Sequence, residues 1–270
     1  MKLRRFIALQ FRRPMERGIN SPFLAIGETD GGGERVPLVV KSRAGFKNRP
    51  EAMLREIFGL LLARELGLFT PEPVLVKIPA GLDLAAADFP EYAGLIRDSV
   101  GWNIATVHLG DGWKPWIHGT PPRSIPSGIL ESAFVFDAMI QNSDREPDNP
   151  NLLWRENEMA LLDFDKAFAF LKTDEKETQP WRRALVRQNL PRHCLFSHLP
   201  KVADRPILGT DLWDAFEEWW LGKPAGRISE TIGSDLEDQD LDLPRMEEYL
   251  TKLARAAEDF FRCVTEISRR

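Results

Sequence analysis

The stretch Asn142-Ser143-Asp144-Arg145-Glu146-Pro147-Asp148-Asn149-Pro150-Asn151-Leu152-Leu153 decides how this chain is read. Eight of its first ten residues are turn formers, because Asn, Asp and Ser bond their own backbone and Pro fixes φ. Before it, residues 128–141 carry Ile129, Phe134, Phe136, Ala138, Met139 and Ile140, the apolar bulk of a helix. After it, Leu152-Leu153-Trp154 and Met159-Ala160-Leu161-Leu162-Asp163 read as a β-hairpin turning at Glu156-Asn157. A helix, a polar loop and a hairpin thus deliver Asp144, Asn149 and Asp163 in order, and Asp163-Phe164-Asp165 begins fourteen residues beyond Asn149.

Asp144-x-x-x-x-Asn149 has the spacing of a kinase catalytic loop, in which the Asp accepts the proton of the acceptor hydroxyl and the Asn holds Mg²⁺. A second Asp on the turn after a hairpin is where the other metal ligand belongs. The chemistry needs this pattern because a base must lie in line with the transferred group, and hard oxygen ligands must fix Mg²⁺ against the triphosphate. Spacing favours Asn149 over Asn151 for the metal and leaves Asn151 to brace the loop. Asp165 is either a third metal ligand or a helix cap. Arg145 either neutralises a phosphate or pairs with a nearby acid. Taken singly, each residue also has a plain structural reading, as a turn-capping Asp or a strand-end carboxylate in a salt bridge.

Upstream, residues 3–10 and 22–28 read as strands, with Thr29-Asp30-Gly31-Gly32-Gly33 as a turn into the strand Val36–Lys41. Residues 50–66 form a helix with Pro50 in its first turn, Asn48 near its cap and Gly67 beyond its end. Val74–Ile78 is a further strand. The apolar strand Leu38-Val39-Val40 ends in Lys41, and Glu56 follows fifteen residues later on the helix. A Lys–Glu pair of this kind holds the Lys toward the α- and β-phosphates. Residues 171–206 read as a long loop with a helical stretch near 180–189. Residues 210–221 and 244–267 read as amphipathic helices, and the acidic run 230–242 as a solvated linker.

With 270 residues, the chain has room for one large domain or two lobes. Its net charge of −5 makes it a poor general nucleic-acid binder, so no direct nucleic-acid partner is expected. No apolar run is long enough for a membrane span, and the basic N-terminus lacks the apolar core of a secretory signal. Two cysteines, Cys194 and Cys263, give no disulfide framework and fit a cytoplasmic location. His193, Cys194 and His198 lack the ligand number and spacing of a zinc site. The Trp219-Trp220 pair reads as core packing.

Together these segments resemble the HipA-like kinase family. The matching pieces are Val39-Val40-Lys41, Arg55-Glu56 through Glu65-Leu66-Gly67-Leu68 with Pro71-Glu72, Gly101-Trp102-Asn103, Asn142-Ser143-Asp144-Arg145 with Asn149-Pro150-Asn151-Leu152-Leu153, and Leu162-Asp163. They lie within roughly residues 15–200, and the Asn-x-Asp-Arg loop with Asn-Pro-Asn-Leu-Leu is the most specific. The resemblance implies a two-lobed, protein-kinase-like α+β fold. Its N-lobe, residues 1–105, would be an antiparallel sheet plus a helix. Its C-lobe, residues 106–270, would be mainly helical. ATP and Mg²⁺ would be the cofactors. Asp144 would be the base, Asn149 and Asp163 the metal ligands, Lys41 the phosphate contact and Glu56 its orienter.

The chain departs from a kinase in lacking G-x-G-x-x-G. Arg17-Gly18-Ile19-Asn20-Ser21-Pro22 stands in the phosphate loop, where Gly18 and Ser21 would meet nucleotide. In some family members a Ser of this loop is phosphorylated, and Ser21 holds that position. The metal turn reads Asp-Phe-Asp, and Glu146 follows Asp-Arg. The adenine hinge is expected near Val107–Leu109. The expected activity is transfer of the γ-phosphate to Ser or Thr of a protein, with a regulatory protein partner possible for a family of this kind. Two alternatives stand beside it: a small-molecule or lipid kinase, and a nucleotide-binding pseudokinase serving as a partner module.

Overall fold

Strand β1 (Arg5–Pro14) buries Phe6, Ala8 and Phe11, and the change of step after Ala8 marks a bulge. In the computed structural model, which describes residues 3–15, 18, 20–46, 49–117, 119, 124–172, 188–199, 209–222, 227–232 and 243–268, this strand opens a closed five-stranded barrel. Its other members are β2 (Phe23–Thr29), β3 (Arg35–Lys41), β4 (Pro73–Ile78) and β5 (Gly101–Val107), in the order β1-β2-β3-β5-β4.

The expectation of an antiparallel sheet is corrected here. The β1–β2, β2–β3, β3–β5 and β4–β5 pairs are antiparallel, but β1 also pairs in parallel with β4, through Arg5–Leu75, Phe6–Val76 and Ile7–Lys77. Irregularities between Ala8 and Gln10 and between Phe11 and Arg13 bend the ten-residue strand, as bulges do. Closure leaves no open edge to recruit another chain.

The barrel is filled by Phe6, Phe11, Phe23, Leu38, Val40, Val74, Val76 and Ile78. Leu82 and Ala86 of a 3-10 turn (Leu82–Ala86), and Ala93 and Ile96 of helix α2 (Pro90–Arg97), join this core. The sequence reading has a single helix in this region, so α2 is an addition. Its eight residues offer only the short i, i+3 pair Ala93 and Ile96, too little periodicity to stand out.

Helix α1 (Pro50–Glu65) matches the expected span, and the chain's division into two compact units falls within it. One unit comprises residues 1–57, 71–110 and 229–240, and the other comprises residues 58–70, 111–228 and 241–270. In the second unit, α3 (Ser127–Met139) is buried along most of its length. There β6 (Lys114–Pro115), β7 (Leu152–Arg155) and β8 (Glu158–Leu161) form a three-stranded sheet, with the β7–β8 hairpin turning at the expected Glu156-Asn157.

Helices α4 (Thr210–Gly222), α5 (Arg227–Ile232), α6 (Leu243–Arg255) and α7 (Ala257–Ser268) follow. The last two replace the single helix expected over 244–267. The Ala256 N–H donates to Leu253 O, three residues back, and that tightened turn separates them. The Tyr249 hydroxyl of α6 donates to Met139 O at the end of α3, at 2.7 Å. The helical stretch expected near 180–189 and the acidic linker fall mostly outside the described residues, as does Asn48. Residues 188–199 contain short 3-10 turns.

Candidate active site

The polar loop is built onto the end of α3. Asn142 donates its side-chain amide to Asp137 Oδ1 at 2.9 Å and its backbone N–H to Asp137 O at 2.9 Å. Its own Oδ1 accepts the Asp144 N–H at 3.2 Å. Asp144 then presents a carboxylate whose Oδ2 accepts the amides of Asn149 at 3.0 Å and Asn151 at 3.3 Å. Its Oδ1 forms an ion pair with Lys166.

Arg145 points the other way. Its Nε and Nη2 grip Asp137, and its Nη1 donates to Pro150 O at 3.2 Å, Asn151 O at 2.7 Å and Leu162 O at 3.2 Å. Of the two roles open from sequence, the geometry selects acid pairing. His193 Nε2 also meets Asp137 Oδ2, at 2.9 Å, while its Nδ1 accepts the Leu195 N–H at 3.1 Å. The acceptor role of Nδ1 places the imidazole proton on Nε2 and makes the ring neutral. Burial agrees, holding the His193 pKa below its ordinary value against the opposing pull of Asp137. Burial pushes Asp137 up, but Arg145 and His193 outweigh it, and its pKa ends below the usual range. His193 is thus committed to Asp137 and to the Leu195 N–H. Among the described residues, the group able to hold a metal is instead Asp144, Asp163 and Asp165.

One ligand oxygen from each of those three carboxylates lies within 4.8 Å of the others. Asp163 follows β8 in the left-handed region at φ 57°, which turns the chain sharply before the buried Phe164. Gly59 of α1 makes room for that ring, since a Cβ there would stand 2.5 Å from Phe164 Cβ. Phe164 also lies under the Arg145 guanidinium, 5.3 Å from its ring centre. Burial raises the Asp144 pKa; Lys166 works against that rise, and the charges of Asp163 and Asp165 add to it. Burial alone would lower the Lys166 pKa, but its bond to Asp144 and the surrounding acids raise it overall. The donor set is hard oxygen throughout and fits a divalent cation such as Mg²⁺.

In the first unit, Lys41 at the end of β3 and Glu56 on α1 meet at 2.6 Å, with side chains 16% and 3% exposed. The loop of Gly18, Asn20, Ser21 and Pro22 is closed by Ser21 N–H to Gly18 O at 3.2 Å and Met15 N–H to Pro22 O at 3.0 Å. Arg17 and Ile19 lie outside the described residues. Ser21 adopts a left-handed φ of 45° and is half-buried. Arg49 Nη2 donates to Asn20 Oδ1 at 3.1 Å, and Gly45 passes so close that a Cβ would stand 2.3 Å from Asn20 O. In the Gly101-Trp102-Asn103 segment, Asn103 Oδ1 accepts the Arg43 N–H at 2.8 Å and so fixes the chain just after Lys41. At the expected hinge, the Val107 and His108 N–H groups are committed to Glu72 O and Pro37 O, both at 2.9 Å.

The structure thus brings together Lys41 with Glu56, and Asp144 with Asn149, Asn151, Asp163 and Asp165. Sequence reasoning missed Lys166, three residues after Asp163, because a Lys on a turn carries no pattern that says which way it faces. It also missed Asp137, hidden in an apolar helix. A lone carboxylate amid Phe134, Val135, Phe136, Ala138 and Met139 was the available signal, because buried acids are nearly always paired.

The model of the HipA-like kinase family matches residues 8–184, roughly two-thirds of the chain. The chain belongs to the HipA-like kinase family, which supports a kinase-like phosphotransferase. Comparison with curated proteins gives no match. Among solved structures, the chain is similar to the Helicobacter pylori proinflammatory kinase CtkA, with 10% identity over 96% of this chain and 94% of that one and a TM-score of 0.47. It is also similar to a chain in the complex of Neurospora crassa PAN2 (WD40-CS1) with PAN3 (pseudokinase and C-term), with 11% identity over 96% of this chain and 65% of that one and a TM-score of 0.31. Among the described residues, no helix is long and apolar enough to cross a membrane.

Proposed function

We propose that the protein is an ATP- and Mg²⁺-dependent phosphotransferase that moves the γ-phosphate to a hydroxyl, with Ser or Thr of a protein as the acceptor. The observation that carries this reading is the clustering of Asp163 and Asp165 with Asp144, whose carboxylate is held by the amides of Asn149 and Asn151. A loop of this kind on a family member is an arrangement for placing a base beside a metal-bound phosphate.

In this reading Asp144 takes the hydroxyl proton. Asn149 and Asp163 hold the cation, with Asp165 beside them. Lys41, oriented by Glu56, takes the α- and β-phosphates, and the Gly18–Ser21 loop covers them. Bound Mg²⁺ supplies the positive charge that offsets charge developing on the phosphoryl oxygens. The chain's own contribution is positioning and electrostatics, with no covalent intermediate required. Family membership is what supports a protein acceptor. The two free cysteines, both buried, accord with a cytoplasmic location.

The test is ADP release from ATP, with and without Mg²⁺, together with intact-mass detection of phosphate on the wild-type chain and on Asp163→Asn. Turnover that needs Mg²⁺ and is lost in the variant supports the reading. A wild-type chain that binds no nucleotide overturns it.

A further inference from the structure

Lys166 reaches Asp144 from the same turn that carries Asp163 and Asp165. Among the described residues, three side-chain donors meet the Asp144 carboxylate: Lys166 at Oδ1, and Asn149 and Asn151 at Oδ2. A carboxylate oxygen accepts two hydrogen bonds in its plane. Oδ2 is therefore filled by the two amides, while Oδ1 keeps one position beside the ammonium. All three carboxylates are close enough to share one cation. A divalent ion drawing in Asp144 as well would consume the lone pair that a base needs.

We propose that Lys166 is a positioning residue that reserves Asp144 for the acceptor hydroxyl by holding its carboxylate out of the metal's coordination, leaving the cation to Asn149 and Asp163 with Asp165 beside them. This rests on the phosphotransferase reading above. The acceptor hydroxyl donates to the remaining position on Oδ1. As its oxygen bonds to the γ-phosphorus, the bond from that phosphorus to the β–γ bridging oxygen breaks and ADP leaves with the electron pair. The hydroxyl proton passes to Asp144 and then to water. The Lys166 side chain is 32% exposed, so its replacement spares the core.

The experiment measures Mn²⁺ binding to the full chain by electron paramagnetic resonance, which needs no acceptor. Lys166→Met, and Lys166→Gln as a second neutral variant, should bind Mn²⁺ tighter on the order of tenfold, because a cation is removed and a ligand released. Lys166→Arg should bind as the wild type does. In an Asp144→Asn background the gain from Lys166→Met should shrink to the part that the lost charge near Asp163 and Asp165 supplies. ADP release should fall about 10²-fold in kcat in Lys166→Met with KM for ATP little changed, the signature of lost positioning. Mn²⁺ affinity unchanged or weakened in both neutral variants overturns the proposal, as does a gain that is undiminished in the Asp144→Asn background. A wild-type chain that binds neither Mn²⁺ nor ATP overturns the phosphotransferase reading itself, and is a distinct result.

Discussion

Arg145 and Asp137 form a two-pronged ion pair in which neither side chain has any exposure. Through it, one guanidinium ties the end of α3, the exit of the polar loop at Pro150 and Asn151, and Leu162 immediately before Asp163. The relative placement of Asp144 and Asp163 therefore depends on a residue that faces away from both. Replacing Arg145 by Lys keeps the charge but removes the planar fork and its donors to Pro150, Asn151 and Leu162, at a cost of about 1–3 kcal/mol. Urea unfolding of Arg145→Lys should show that loss, and turnover should fall even where the variant remains folded.

The same network sets a pH window for stability. His193 is neutral in the fold and its pKa is lowered, so below its unfolded value of 6.5 the unfolded chain takes up a proton that the folded chain refuses. Stability is thus lost as pH falls through that value. Burial pushes the Cys194 thiol from 9.0 to about 12, so above pH 9.0 the unfolded chain releases a proton that the fold retains, and stability falls again. Denaturant midpoints across pH should show a plateau between these limits. His193→Gln should flatten the acid limb near 6.5, and Cys194→Ala the alkaline one. Unchanged limbs would assign the pH dependence to other groups.

Much of this architecture was legible because its signals are local. The Asp144–Asn149 spacing, the hairpin before Asp163 and the fifteen-residue step from Lys41 to Glu56 each lie within one or two elements. What escaped depends on pairing across the chain. Closure of the barrel by Arg5–Ile7 against Leu75–Lys77 joins segments about seventy residues apart, which no local period records. Asp137 and His193 meet 56 residues apart, and each alone reads as an ordinary polar residue. Lys166 was invisible for a different reason: whether a Lys on a turn faces solvent or a carboxylate is decided by the left-handed turn at Asp163.

Two glycines test the positioning of two sets of groups separately. Gly45→Ala would drive a methyl into Asn20 O, a backbone atom of the candidate phosphate loop. Its expected effect is a raised KM for ATP with smaller change in kcat. Gly59→Ala would press on Phe164, between the acids at 163 and 165. Overpacking of this kind costs about 1–3 kcal/mol, and the expected effect is weaker Mn²⁺ binding. Steady-state kinetics and metal titration on both variants distinguish the two outcomes.

Lys41 and Glu56 should behave as a coupled pair. The two charges are 2.6 Å apart and Glu56 is almost fully buried, so Lys41→Met removes its neighbouring ammonium and destabilises the unit. Adding Glu56→Gln should recover part of that stability, with a coupling of about 1 kcal/mol or more in a double-mutant cycle. Turnover should not recover, because the phosphate contact is still missing. Recovery of stability and turnover together would make the pair purely structural.

Asp163 separates charge from backbone conformation. Its φ of 57° lies in the left-handed region, which Asn and Asp enter far more readily than other residues with a Cβ. Asp163→Asn therefore keeps the turn and removes one carboxylate, whereas Asp163→Ala removes the carboxylate and strains the turn. Both should abolish Mg²⁺-dependent ADP release. Only the Ala variant should also lose roughly 1 kcal/mol of stability from backbone strain. Asp163→Gly closes the comparison, since glycine accepts this conformation without a side chain. It should be inactive yet free of the conformational strain that burdens the Ala variant. Retained turnover in the Asn variant, with the fold intact, would remove Asp163 from the metal site and leave Asp165 as the carboxylate to test next.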